Sequence, residues 1–453
     1  MRRGVAVLVL GMTILGAAGS ARAQTPVVKF GASVTMPVGP GPFDLVVEDF
    51  NNNGNKDVAV ANSDSSDVTV LWGNGNGTFL DPGVTYSVGD FPVAIAAGQL
   101  TNDTNLDLVT ANDGSFNLSV LMGTGSGASF NGPTNSDAGG SPEAVALGDF
   151  NNDNKTDVAT AELFDDTVTV RLGNKDATGT FGLAFSTDVL GSPFGLAAAN
   201  LVGDSNLDLV VALNDLSMVA VLTGNGDGTF AAPDCTADPA PAGCYLVGTS
   251  PAGVALADLN NDLKLDIVVA NEDSDDVSVL LNNGDGTFGP ATSLDAGVLS
   301  FPEVVRVADF NGDGKPDIVS ANSGADSVAV FRGKGDGTFE AADIFDTGGT
   351  SPFSVAVADV NKDQQPDILT ANVDSDDISI LLNETAGGGT GCLGDCDGDH
   401  KVSAEELVTG IDIVLGLVPA NSCTAFEGSG SAPVTVVEVA TAVDNALNDR
   451  CAP

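Results

Sequence analysis

Five stretches of this chain set oxygen-bearing side chains at the same fixed steps. Asp49, Asn51, Asn53 and Asp57 stand at offsets 0, 2, 4 and 8, as do Asp149, Asn151, Asp153 and Asp157, and Asp258, Asn260, Asp262 and Asp266. Asp309, Asn311, Asp313 and Asp317, then Asp359, Asn361, Asp363 and Asp367, complete the set. Hard oxygen ligands at alternate positions of a tight loop can wrap one Ca²⁺, with the backbone carbonyl at offset 6 completing the shell. Those carbonyls belong to Asn55, Lys155, Lys264, Lys315 and Gln365. No His or Cys stands in the loops, which disfavours zinc and copper. Two carboxylates about 4 Å apart repel by roughly 4 kcal/mol at an effective dielectric of 20, a penalty that a cation removes. Asx-rich loops are also good turns, but turn chemistry alone does not call for Asp at offset 8 in every copy.

Two further copies depart from the pattern. One has Gln99 and Thr101 before Asp103 and Asp107, and the other has Asn200 and Val202 before Asp208. Both lose the carboxylate at offset 0, so weak or empty sites are expected there.

The elements that must carry these loops repeat with them. The Asp residues at offset 8, from Asp57 through Asp107, Asp157, Asp208, Asp266 and Asp317 to Asp367, are separated by 50, 50, 51, 58, 51 and 50 residues. A period of this size means one supersecondary unit stacked on its own kind. In the third copy, EAVALGD is a short strand of small and apolar residues. The acidic loop, the strand DVATA and the alternating strand TVTVRLG follow. The next turn recurs as GNGDGTF at 224–230, NGDGTF at 283–288 and GKGDGTF at 333–339, where Gly supplies the positive φ of a tight hairpin. A looser fourth strand closes each unit. The seventh copy stops at Asn383 without one, while FGASVTMPVG at 30–39 matches the fourth strand of the first copy. If the N-terminal strand completes the last blade, the ring closes and no sheet edge stays open. The expected fold is all-β, a closed seven-bladed β-propeller over residues 24–385.

The copies resemble the FG-GAP/VCBS repeats of integrin α-subunit propellers and of many secreted bacterial proteins, over residues from about 27 to 385. The resemblance implies that the calcium loops join the first and second strands on the lower face, while the upper face binds partners. That face would display the hairpins 63–67, 272–276 and 373–377 and segments around Phe91, Phe194, Phe301 and Phe353.

Both ends carry other signals. Met1-Arg2-Arg3, an apolar stretch from Val5 to Ala18 and Ala21-Arg22-Ala23 read as a secretory signal peptide over 1–23. The expected product is secreted or held at the cell surface, with no transmembrane span. After a Gly-rich linker at 386–391, a module at 392–453 places Asp395, Asp397, Asp399, Ser403 and Glu406 at positions 1, 3, 5, 9 and 12 of a calcium loop. Lys401 offers its carbonyl at position 7, and His400 stands at position 6 where Gly is usual. A degenerate second loop with Glu427, Ser429, Ser431 and Glu438 follows. The pair resembles a dockerin, an α-helical EF-hand-like domain, which implies a cohesin-like partner; its four cysteines, Cys392, Cys396, Cys423 and Cys451, depart from the best-known dockerins and allow three pairings. Cys235 and Cys244 bracket the insertion that lengthens the fourth interval and are expected to form a disulfide.

Composition limits the functions open to the chain. Sixty-two acids against 16 bases give a formal net charge of −46, so there is no basic footprint for nucleic acid. His400 is the sole histidine and sits in a calcium loop, so no Ser-His or Cys-His pair can be built for nucleophilic catalysis. Arg306 interrupts an inner strand where the other copies have Ala or Val; it marks either a channel site or, as is expected here, a buried ion pair with an acid near the axis. The expectation is a monomeric, calcium-binding module for an extracellular protein or glycan. The competing class is a lectin or carbohydrate-active enzyme working through acids of the upper face.

Overall fold

The computed structural model describes residues 27–125, 129–237 and 241–385. The predicted signal peptide, linker and dockerin-like module lie outside the described residues, and with them Asp395, Asp397, Asp399, Lys401, Ser403 and Glu406.

Small and β-branched residues dominate the first two strands of every repeat, and the structure uses them at a crowded axis. Seven antiparallel sheets, each strand paired with the next in sequence, stand side by side as blades. In blade 3 the strands run Pro142–Gly148, Asp157–Glu162, Thr167–Gly173 and Phe181–Asp188. The inner strand of each blade packs against that of the next, and blade 7 returns to blade 1. The second strands are buried at every residue, because a neighbouring blade covers each face. This is why they read as continuous apolar runs and not as alternations. Outer strands such as Val84–Ser87 are mostly exposed. Seven apolar clusters fill the seven junctions between blades.

The N-terminal strand Val34–Pro37 pairs antiparallel with Asp377–Leu381, Val34 opposite Ile380 and Pro37 opposite Asp377. The expected closure is therefore observed, and blade 7 is built from both ends of the propeller. Blade 4 departs from the pattern at its outer edge. Its outer strand is split into Phe230–Ala231 and Cys244–Leu246, with Cys235 and Cys244 bonded across the insertion between them.

Each blade leaves two kinds of loop on each end of the ring. The acidic loops between first and second strands share the lower face with the Gly-rich turns between third and fourth strands. Hairpins between second and third strands share the upper face with the segments that open the next blade.

Candidate metal centres and the axial mouth

In each acidic loop, alternation aims offset 1 inward. Phe50, Leu100, Phe150, Leu201, Leu259, Phe310 and Val360 are buried between blades, and this anchors the loop while offset 5 stands in solvent in the five full copies. In the five full copies the same hydrogen bonds then appear. Asp49 accepts the backbone N–H groups of Asn53 and Gly54, at 3.0 and 2.7 Å. Asn51 accepts from Asn53, and Asn53 accepts from Asn55. Asp149, Asp258, Asp309 and Asp359 repeat the double acceptance at offset 0. The bonds from offsets 2 and 4 recur at Asn151, Asp153, Asn260, Asp262, Asn311, Asp313, Asn361 and Asp363.

The backbone of these five loops is left-handed at both offsets 3 and 5. Asn52 and Gly54 have φ of 56° and 80°, and Leu263, Lys362 and Gln364 hold 67°, 66° and 68° without being glycine. A left-handed conformation is costly for such side chains and persists only where surrounding bonds impose it. The second copy has neither left-handed position, and the fourth has only Gly203 at 79°. Loss of the carboxylate at offset 0 thus coincides with loss of the doubly left-handed wrap.

Offset 8 has a role that the sequence did not disclose. Asp57, fully buried, accepts the N–H of Phe50 at 3.1 Å and that of Gly73, at the end of the third strand, at 2.8 Å. Asp157, Asp266, Asp317 and Asp367 make the same two bonds, and so do Asp107 and Asp208 in the two incomplete copies. The seven-fold recurrence of Asp therefore has a structural cause that needs no metal: it ties the acidic loop to the strand beyond. Gly73 lets that strand come close, since a Cβ there would stand 1.9 Å from the carbonyl oxygen of Lys56. Burial pushes Asp57, Asp157 and Asp367 up to about 6 and Asp317 up to about 7. Neighbouring carboxylates add to the rise, and the amide donors oppose it.

Side-chain cations already lean on some loops. Lys155 and Lys315 donate to Asp153 and Asp313 at 2.9 Å, and Lys264 lies 3.3 Å from Asp262. Among the described residues no three acids, histidines or cysteines converge as a metal-binding group. Any shell here would draw on amide and backbone oxygens as well as carboxylates. That donor set, all hard oxygen, fits Ca²⁺.

Many upper-face acids prove to be staples. Asp376 accepts the N–H of Gly41, Asp166 those of Gly191 and Ser192, Asp275 those of Leu299 and Phe301, and Asp326 that of Ser351. Each ties a hairpin to the segment opening the next blade. Nearer the axis, Phe43, Phe194, Phe353, Glu143 and Glu303 surround a cavity of about 120 Å³. Phe43 and Phe353 have ring centroids 4.0 Å apart. Phe194 and Phe353 thus line the axial mouth, whereas Phe91 and Phe301 do not, and directly precede the inner strands of blades 2 and 6. Burial pushes Glu143 up to about 7 and Glu303 up to about 8, helped by Asp113 in the first case and by Glu272 and Asp273 in the second. Among the described residues Arg306 forms no ion pair within 4.0 Å, contrary to the expected ion pair, and it donates one hydrogen bond, to the carbonyl of Val305.

Solved structures with this architecture are distant in sequence. A chain of the BBS1N complex with ARL6DN is 11% identical, covering 80% of this chain and 99% of its own, with a TM-score of 0.55. A streptogramin B lyase is 14% identical, covering 80% of this chain and 100% of its own, with a TM-score of 0.53. A lectin from Agrocybe aegerita that recognises non-reducing terminal N-acetylglucosamine is 22% identical over 76% of this chain and 86% of its own, with a TM-score of 0.48. The first two likenesses concern the fold alone. No curated protein matches the chain. Repeat by repeat, the sequence matches the FG-GAP-like repeat over residues 49–110, 99–160, 200–269, 258–320 and 309–370. With its acidic loops on one face of a closed ring and most of its length in such repeats, the chain belongs to the FG-GAP-like repeat family.

Proposed function

We propose that the protein is an exported binding module whose propeller is stiffened by Ca²⁺ in five lower-face loops, those beginning at Asp49, Asp149, Asp258, Asp309 and Asp359. One observation carries the reading. Only the five loops with a carboxylate at offset 0 share the doubly left-handed wrap, with the amides of offsets 4 and 5 turned onto that carboxylate. The bound ion would supply positive charge among crowded carboxylates, and the chain's own part is to hold the oxygens in place. Copies two and four are proposed to bind weakly or not at all.

The proposed partner, an extracellular protein or glycan, meets the upper face. Phe91, Phe116 and Phe164 support this, the last 78% exposed in the hairpin of blade 3. Export rests on the N-terminal sequence, and attachment through a cohesin-like partner rests on the dockerin-like sequence of the tail. In a pull-down with the full mature chain, substituting Phe91, Phe116 and Phe164 by Ala is expected to abolish capture of a partner that the unaltered chain retains in calcium. Equal capture by both chains would refute the upper face as the binding surface.

A further inference from the structure

The seven inner strands carry a single cationic side chain between them, Arg306. At the same level in the register the other blades hold Val46, Ala96, Ala146, Ala197, Ala255 and Ala356. Three of these, Val46, Ala96 and Ala356, line a lower cavity of about 480 Å³ together with Arg306. Arg306 also lines the upper cavity of about 120 Å³, and so stands between the two on the axis.

The charge of Arg306 is poorly answered. Enclosure lowers its pKa, and Asp44 is the acid that opposes this. Asp44 is already committed, however. One oxygen accepts the Ser354 hydroxyl at 2.6 Å and the Leu45 amide at 2.9 Å, and the other accepts the Ile95 amide at 2.9 Å. A planar guanidinium with free N–H groups beside a cavity matches a carboxylate in shape and charge.

We propose that the upper axial cavity binds a small organic carboxylate, with its carboxylate on the Arg306 guanidinium and its apolar body against Phe43, Phe194 and Phe353. The cavity of about 120 Å³ is smaller than the roughly 150 Å³ enclosed space that takes up benzene, so the apolar body of the ligand lies partly in the open axial mouth. Glu143 and Glu303 do not forbid an anion. Glu303 is only 5% exposed, and one of its oxygens accepts the Ser323 hydroxyl at 2.8 Å. Burial drives both carboxyls towards the protonated form, and a protonated carboxyl donates to a carboxylate ligand. The site is independent of the calcium loops, which lie on the opposite face.

Isothermal titration of the full chain with benzoate and with its uncharged analogue benzamide tests the assignment. Benzoate is expected to saturate with a Kd below about 1 mM, and benzamide to bind at least about tenfold more weakly. Arg306→Met is expected to abolish the preference for benzoate. Should that variant fail to fold, Phe353→Ala decides instead: it is expected to weaken benzoate while leaving acetate unchanged. The proposal is overturned if benzoate does not saturate, if benzamide binds equally well, if folded Arg306→Met retains the affinity of the unaltered chain, or if Phe353→Ala leaves benzoate binding intact.

Discussion

Asp107 separates the two jobs that a loop aspartate can do. It accepts three backbone amides, those of Leu100, Thr101 and Gly123, in a copy without a carboxylate at offset 0. Asp107→Ala leaves those amides buried without an acceptor and is expected to cost roughly 2–3 kcal/mol, by the same amount in calcium and in chelator. Asp149→Ala is expected to lower the thermal midpoint in calcium and to change it little in chelator. Paired melts of the two variants check this, and equal behaviour of both in the two buffers would contradict it. Glu303 gives a pH signature. Its folded-state pKa, about 8, lies above the ordinary 4.5 because burial disfavours the charged form. The folded state therefore holds its proton more tightly than the unfolded chain does. The contribution is full below about pH 4.5 and is lost as pH rises towards 8. Glu303→Gln is expected to flatten the fall in stability between about pH 5 and pH 8, as read from denaturant midpoints; an unchanged slope would show that Glu303 does not cause it. Sequence reasoning could see neither role: an acid beside an axis and an acid in a loop look alike until the ring places them.

At the level of elements, the strands and their order were legible because the 50-residue period and the small-residue inner strands leave few ways to bury a blade. The closing strand was legible too, since FGASVTMPVG at 30–39 could be matched to a fourth strand missing at the other end. Removing residues 27–38 is expected to expose the edge strand Asp377–Leu381 and to produce concentration-dependent association, measured by sedimentation velocity. What escaped the sequence was the work of the hairpins. Asp275 and Asp376 belong to hairpins expected to meet a partner, yet they, with Asp166 and Asp326, accept amides from the next blade, a contact made across the junction between repeats. The left-handed loop backbone was also hidden, because Leu263, Lys362 and Gln364 are not residues that announce positive φ. Leu263 is 94% exposed, so little packing is at stake there. Leu263→Gly is expected to stabilise the protein by about 0.5–1 kcal/mol through release of backbone strain, with thermal denaturation as the check.

For the whole molecule, a formal charge of −46 makes self-repulsion part of every stability measurement. Ions that neutralise it locally should count for more than sodium chloride, which only screens. On the proposed reading the ring resists unfolding because cations sit between carboxylates on its lower face, leaving the upper face free for a partner. Blade closure, inter-blade cores and amide staples do not depend on those cations, so the metal-free chain should still fold, though less stably. Equilibrium dialysis of the full mature chain against calcium, with bound metal measured by atomic emission, tests this account most directly. The result predicted is five ions held by the propeller loops and a sixth by the loop at Asp395, with one ion lost on each Asp→Ala substitution at offset 0. Fewer than one ion bound per chain at millimolar free calcium would contradict it.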